Sequence, residues 1–429
     1  MRSLLWPRRG RSRDLHIVSL AHALDRSQSG RGCCLAGSAA NLDTVNTPLL
    51  SRHEITGAAR VVVKVGSSSL TTPSGHLDES KLEALVQVIA DRWDEGQQVV
   101  LVSSGAQAAA MGPLELDHKP RDLATAQAAA SVGQGLLIAR YTELFARRGL
   151  RVGQVLLTAE DILRRGLYRN SRRALDRLLS LGVVPIINEN DTVATDEIRF
   201  GDNDRLAALV AHLVHADALV LLSDVDGLYT APPSRPGSRR LDEVHRFSEV
   251  EDLDITARGS AVGTGGMVTK VQAAAISTSS GIPVLLTSAS LAREALVGAS
   301  VGTWFHPTGR RLPARQLWLA YAAKIEGRVV VDEGAVEAVG DRNASLLPAG
   351  VVGVEGEFAV GDAIEIVDVE GLPIARGLAG FSSRKVPEVQ GLSMEEIESK
   401  LGRRHAHEVV HRDELVVMAR HRRLDDVDG

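Results

Sequence analysis

The strongest constraint in this sequence is a recurrence. Short runs rich in β-branched and aliphatic residues alternate with longer stretches of helical period. The runs lie at 60–65, 98–102, 151–158, 183–187, 218–222 and 283–287. Between them, 78–93 repeats Leu82, Leu85, Val86 and Ile89 on one helical face, with Asp78 placed to cap it. Stretches 121–141, 167–181, 203–214 and 268–280 also read as helices. Strand followed by helix, repeated, predicts an α/β three-layer sandwich with a mostly parallel sheet, spanning 59–307. Aromatic residues are only 3% of the chain, so its cores are built from Val, Leu, Ile and Ala.

The period changes after 307. A Pro/Arg/Trp connector at 308–323 leads to short strands at 328–331, 351–358, 363–369, 373–381 and 408–418, punctuated by Gly356, Gly361 and Gly371. This predicts a small β-barrel-like domain over 324–418, followed by a tail at 419–429. The other end is unlike both. The first forty residues carry seven arginines against Asp14 and Asp25, and lack an apolar signal-peptide core. Such a stretch fits a transit peptide, a disordered leader, or translated sequence upstream of the true start. The last two are favoured, because periodic structure begins near Ala59, so 1–58 is set apart as a leader.

Net charge is −5, which argues against a global nucleic-acid footprint. The two cysteines, Cys33 and Cys34, are adjacent and provide no disulfide framework, which fits a reducing, cytoplasmic setting. No apolar run approaches a membrane span.

The most chemically loaded stretch follows the 183–187 run. Residues 188–204 hold six carboxylates, one arginine, and the amides Asn188, Asn190 and Asn203. As a surface feature this is a solvated acidic loop or a metal site, although the spacing does not fit an EF-hand. As a functional feature it suits a small polar substrate at the carboxyl end of a parallel sheet. Lys64 is a charge within a buried-strand pattern. It is either an edge lysine reaching water or a lysine delivered to a phosphate. Ser103-Ser104-Gly105-Ala106 ends the next strand, and Ser223-Asp224 ends the 218–222 run. Gly263-Thr264-Gly265-Gly266-Met267-Val268-Thr269-Lys270 is the most glycine-dense stretch and opens a helix, the arrangement that binds phosphate through backbone N–H groups. It is neither a Walker motif nor GxGxxG. Lys270 in the first turn opposes the helix dipole unless an anion is nearby.

These motifs occur in one order: VKVGSS at 63–68, VSSGA at 102–106, INENDTVA at 187–194, GDND at 201–204, LLSDVDGLY at 221–229 and GTGGMVTK at 263–270. Together they resemble the glutamate 5-kinase family, enzymes of proline biosynthesis with the amino-acid-kinase fold. VDEGAVEAV at 331–339 and SLLPAGV at 345–351 resemble the PUA domain that many members carry. The resemblance covers about Ala59 to Met418. It implies ATP-dependent phosphorylation of the glutamate side-chain carboxylate. By the same resemblance Lys64, Ser223, Asp224, Thr264, Gly265, Gly266, Met267, Val268, Thr269 and Lys270 lie on the ATP side. Ser104, Asp191 and Asn203 lie on the glutamate side, and Asp204 orients Lys64 and Lys270. The resemblance further implies Mg²⁺ carried largely by nucleotide oxygens, with no protein ligand nominated. It also implies a homo-oligomer and proline as a feedback inhibitor.

The chemistry agrees with that assignment. A carboxylate acceptor is already ionised at neutral pH, so no general base is needed. Bringing two anions together requires positioning and cations. Gln107 departs from the apolar residue usual after Ser-Gly-Ala, and the long leader is the other departure. The alternatives are another carboxylate or nucleotide kinase of the same fold and an RNA-binding PUA protein. The acidic loop opposes the first. The absence of a basic patch opposes the second, with RRHAHEVVH at 403–411 as the locally basic candidate near the end of the small domain.

Overall fold

In a computed structural model of the chain, the described residues are 48–418, apart from 117, 119, 121, 159–160, 163, 193–202, 252, 254–265, 308–313, 322, 324 and 343. The leader call over 1–47 and the tail therefore lie outside the described residues. The main sheet has eight strands, ordered β3-β4-β2-β1-β5-β7-β8-β6. They are β1 (Arg60–Val65), β2 (Gln98–Ser103), β3 (Arg151–Leu157), β4 (Val183–Glu189), β5 (Ala218–Ser223), β6 (Glu243–Val244), β7 (Val284–Ser288) and β8 (Thr303–Phe305). Every pair is parallel except β7–β8. The sequence reading found six of these strands. It missed β6 and β8, which are too short to carry a period.

Alternation along each strand divides the interior into two layers. Val61, Val63 and Val65 of β1 join Ala218, Val220 and Leu222 of β5 in one core, against the Glu79–Asp94 and Leu123–Ala146 helices. Val62 and Leu219 face the other core, with the Arg165–Ser180, Asn203–Leu213 and Met267–Thr278 helices. Helices on both faces of one sheet make the three-layer sandwich. Asp78 caps its helix as expected, accepting from the amides of Ser80 and Lys81.

The fold begins earlier than Ala59. A single 3₁₀ segment, Arg52–Gly57, buries Ile55 completely. The Arg52 guanidinium donates to the carbonyls of Val301, Gly302 and Asp242. An arginine satisfied by three carbonyls and a buried isoleucine tie 52–57 to the sandwich. Nothing in local sequence marks this, because the carbonyls that hold Arg52 are more than 180 residues away.

The second sheet has five mostly antiparallel strands, ordered β10-β9-β11-β12-β13. These are β9 (Gly327–Val331), β10 (Val351–Gly356), β11 (Ala363–Val367), β12 (Pro373–Leu378) and β13 (Leu415–Val417). The Glu333–Gly340 and Met394–Leu401 helices were not anticipated there. Nor was helix expected within the 308–323 connector, where Ala314–Tyr321 is helical. Trp318 on that helix packs against the main-sheet core, while Leu319 and Ala320 pack with Ala363 and Val416 of the small sheet. The connector is thus a shared wall between the two sheets.

One glycine sets the spacing near the strand ends. A Cβ on Gly133, in the Leu123–Ala146 helix, would lie 1.7 Å from the Ala106 carbonyl oxygen. Gly133→Ala is expected to destabilise the protein by about 1–3 kcal/mol through overpacking. Gly135→Ala, where nothing lies within 4 Å, is expected to be neutral or slightly stabilising. Denaturant midpoints of the two variants check this; equal midpoints would contradict the close approach.

Candidate active site

Lys64 sits on β1, in the middle of the sheet, paired with β2 and β5. It is not an edge lysine. Its side chain follows the even-numbered face of the strand to the carboxyl end, where a Cβ on Gly66 would lie 3.6 Å from Nζ. There it meets Asp204, in the first turn of the Asn203–Leu213 helix. Lys270, in the first turn of the Met267–Thr278 helix, reaches the same carboxylate at 3.1 Å. Thr269 Oγ1 lies 3.1 Å from Asp204 Oδ2 and donates to the Gly266 carbonyl at 2.9 Å. Asp204 is fully buried, and both lysines are less than a tenth exposed.

The two helices that carry these groups are clamped together by Arg205, whose Nε donates to Gln272 Oε1 at 3.0 Å. Burial alone would raise the Asp204 carboxyl. The ammonium groups of Lys64 and then Lys270 outweigh it and hold the carboxyl down, at about 2. The three side chains sum to one positive charge in a dry place, which favours an anion beside them.

A second, neutral network adjoins the first. Asn203 precedes Asp204 and points the other way. Its Nδ2 lies 2.8 Å from Ser104 Oγ, 2.8 Å from Asn188 Oδ1 and 3.2 Å from the Ser103 carbonyl. Asn188 Nδ2 in turn donates to Gln134 Oε1 at 2.6 Å. Gln134 and Asp191 line a cleft of about 230 Å³, together with Glu189, Asn190, Gln154 and Thr192. Ser104 and Ala106 flank Gly105, which takes φ +106° to turn β2 into the Ala106–Met111 helix.

The structure therefore brings Lys64, Asp204, Thr269 and Lys270 together, and Ser104 with Asn203. Asp191 is on the cleft wall. Ser223 and Asp224 stand at the end of β5, where the Ser223 hydroxyl donates to Asp224 at 2.9 Å. Gly266 precedes the Met267–Thr278 helix, and Met267 and Val268 open it half-buried. Thr264 and Gly265 lie outside the described residues. Sequence reading missed Gln134. It lies in an alanine-rich helix with no motif around it, and Gly133 beside it was the available signal.

Residues 59–288 match the amino acid kinase family, and residues 327–401 match the PUA domain. The glutamate 5-kinase of Streptomyces coelicolor is 58% identical over 369 residues, covering 86% of this chain and 99% of that protein. The glutamate 5-kinase of Salinispora arenicola is 58% identical over 368 residues, covering 86% of this chain and all of its own length. This chain belongs to the glutamate 5-kinase family. A solved structure, the carbamate kinase of Giardia lamblia bound to AMP-PNP, aligns with a TM-score of 0.45 at 19% identity, covering 59% of this chain and 100% of that one. Every candidate site residue falls inside the 59–288 match and none inside the PUA match.

Asp204→Asn is expected to cost about 3–5 kcal/mol, because it leaves two buried ammonium groups without their carboxylate. The sign with pH follows from the depressed carboxyl. The wild-type advantage is complete above the ordinary carboxylate range near 4 and shrinks as pH falls toward about 2. Urea melts of both proteins across that range read it out; an advantage that grows on acidification would contradict the charge assignment.

Proposed function

We propose that this chain phosphorylates the side-chain carboxylate of L-glutamate with ATP, giving L-glutamyl 5-phosphate, the first step of proline biosynthesis. The observation that carries the proposal is the buried Lys64–Asp204–Lys270 cluster, linked through Asn203 and Asn188 to Gln134 on the wall of an amide-lined cleft. One side offers cations to phosphate oxygens. The other offers a hydroxyl, amides and carboxylates to an amino acid.

The donor set fits the nucleotide. Two ammonium groups within reach of one carboxylate give a net positive charge at the strand ends, and the Met267–Thr278 helix adds the positive end of its dipole. Mg²⁺ on the nucleotide would add further positive charge against the phosphates, and no protein ligand is assigned to it. Asp204 holds Lys64 on one carboxylate oxygen and Lys270 on the other. It has no proton to exchange at neutral pH, so it orients and does not act as a base. The acceptor carboxylate needs no base either. The work left to the protein is alignment and charge stabilisation.

On the acceptor side, Ser104, Asn203 and Asp191 are assigned to L-glutamate. The carboxylate of Asp191 suits its ammonium group. The Ser104 hydroxyl and the Asn203 amide suit its carboxylates. Gln134 holds Asn188, which holds Asn203, and is a positioning residue.

The direct test is an ATP-dependent assay in which the acyl phosphate is trapped as hydroxamate, with L-glutamate against N-acetylglutamate, aspartate and carbamate. Turnover of another acceptor in preference to L-glutamate would overturn the assignment. Lys64→Ala and Lys270→Ala are expected to lower kcat about a hundredfold or more, equivalent to ~3 kcal/mol of charge stabilisation. Asn203→Ala and Asp191→Ala are expected to raise the KM for glutamate while nucleotide affinity holds. Loss of nucleotide binding in the second pair with unchanged glutamate saturation would reverse the two sides.

Proline carries the α-carboxylate and cationic nitrogen of glutamate but lacks the carboxylate that is phosphorylated. It is expected to occupy the Ser104–Asn203–Asp191 side unproductively and to raise the apparent KM for glutamate. Glutamate saturation curves at several proline concentrations measure this, and inhibition that glutamate cannot relieve would exclude overlapping sites.

A further inference from the structure

At the far edge of the main sheet, β6 and β8 lie side by side. Glu243 pairs with Trp304 and Val244 with Phe305, and the amide of His306 donates to the Val244 carbonyl at 2.9 Å. The next residue on each strand is a histidine, His245 and His306. The two-residue period of a strand puts Glu243 on the same face as His245. The side chains meet there. His306 Nε2 is 2.9 Å from Glu243 Oε2, and His245 Nε2 is 3.6 Å from the same oxygen. The two imidazoles stack with centroids 4.1 Å apart and planes at 20°. One ligand atom from each of the three residues lies within 4.8 Å of the other two.

We propose that Glu243, His245 and His306 form a binding site for a divalent transition metal ion, with Zn²⁺ the best match, separate from the phosphoryl-transfer centre. Two imidazole nitrogens and one carboxylate oxygen are a donor set for Zn²⁺ and the late first-row ions. Mg²⁺ and Ca²⁺ prefer oxygen throughout, so the site does not compete for the ion that accompanies a nucleotide. A tetrahedral Zn²⁺ with bonds of about 2.0–2.1 Å holds its ligand atoms about 3.4 Å apart. Two of the three separations already bracket that value. Stacked rings do not aim their in-plane nitrogen lone pairs at one point, so His245, 62% exposed, turns out of the stack when the ion binds.

The surroundings favour a held site on one side and an open one on the other. His306 is 20% exposed and stands edge-on to buried Trp304, with centroids 6.4 Å apart. Arg52 approaches the other carboxylate oxygen, Glu243 Oε1, at 3.8 Å. It fixes the carboxylate while leaving Oε2 to the two histidines, and its charge makes the site weaker than a closed structural zinc centre. The exposed side leaves the fourth position to water. Imidazole ligates a metal in its neutral form, so binding weakens in acid. A bound ion would staple the two-residue strand β6 to β8.

The test uses the full chain carrying Cys33→Ser and Cys34→Ser, stripped with chelator and kept in excess Mg²⁺. Co²⁺ alone is titrated at pH 7.5 and followed by visible absorption, then displaced with Zn²⁺. The expected result is one Co²⁺ per chain with the absorption of a near-tetrahedral site. Binding is expected to weaken at least tenfold in His245→Ala and in His306→Ala, and also on lowering the pH to 5.5. His245 is exposed, so its variant keeps the fold, and a thermal melt verifies that. Unchanged Co²⁺ stoichiometry and affinity in folded His245→Ala would overturn the proposal, as would no uptake by the starting protein up to millimolar Co²⁺. Full displacement by Mg²⁺ would also overturn it.

Discussion

The buried carboxylate of Asp204 is the contact on which the active region depends. Lys64 comes from the central strand and Lys270 from a helix 66 residues further along than Asp204. Two ammonium groups cannot share a dry space unaided, since each costs several kcal/mol to desolvate and they repel one another. One carboxylate with no exposure, placed between them, makes the arrangement tolerable. It does not cancel it. The cluster keeps one positive charge, which favours an anion beside it.

The fold explains how three chain segments converge with this accuracy. β1 is central, so its carboxyl end lies at the middle of the sheet's upper rim, flanked by β2 and β5. Odd positions of β1 enter one core and even positions the other, which commits Lys64 to the side where the Asn203–Leu213 and Met267–Thr278 helices pack. The Arg205–Gln272 contact then fixes the two helix starts against one another. Lysine in a central strand is costly as stability alone. Its position next to Gly66, where no side chain blocks the ammonium group, is consistent with a site that tolerates the cost for its chemistry.

Much of this was legible in the sequence, and the reasons are local. Strand–helix alternation is written in the β-branched runs. The charged outlier Lys64, the glycine-dense turn before Lys270 and the amide-rich 188–204 stretch each carry their chemistry within a few residues. The elements that escaped depend on distant partners. Arg52 is ordered by carbonyls of the β8 region. Gln134 matters only because Gly133 lets its helix approach Ala106, so that the amide reaches Asn188. The Ala314–Tyr321 helix looked like a connector because its amphipathic faces pack on two different cores, not one. β6 and β8 are too short to show a period, yet their pairing is what aligns Glu243, His245 and His306.

Asn203 and Asp204 show why the two halves of the region act together. Adjacent residues at a helix start project about 100° apart. Asn203 therefore faces β2 and β4, toward Ser104 and Asn188, while Asp204 faces β1 and the 267–278 helix. A single helix N-terminus thus fixes the angle between the amide network and the cation cluster. On the proposed assignment, any displacement of that turn misaligns acceptor and donor at once, and a small misplacement of reacting groups is expensive in rate. It follows that substitutions deeper in the same helix, such as at Leu206 or Leu209, both fully buried, should affect the two sides in concert, whereas substitutions at Asn203 or Lys270 separate them. The coupling lies in backbone geometry and requires no contact between the two ligand sets.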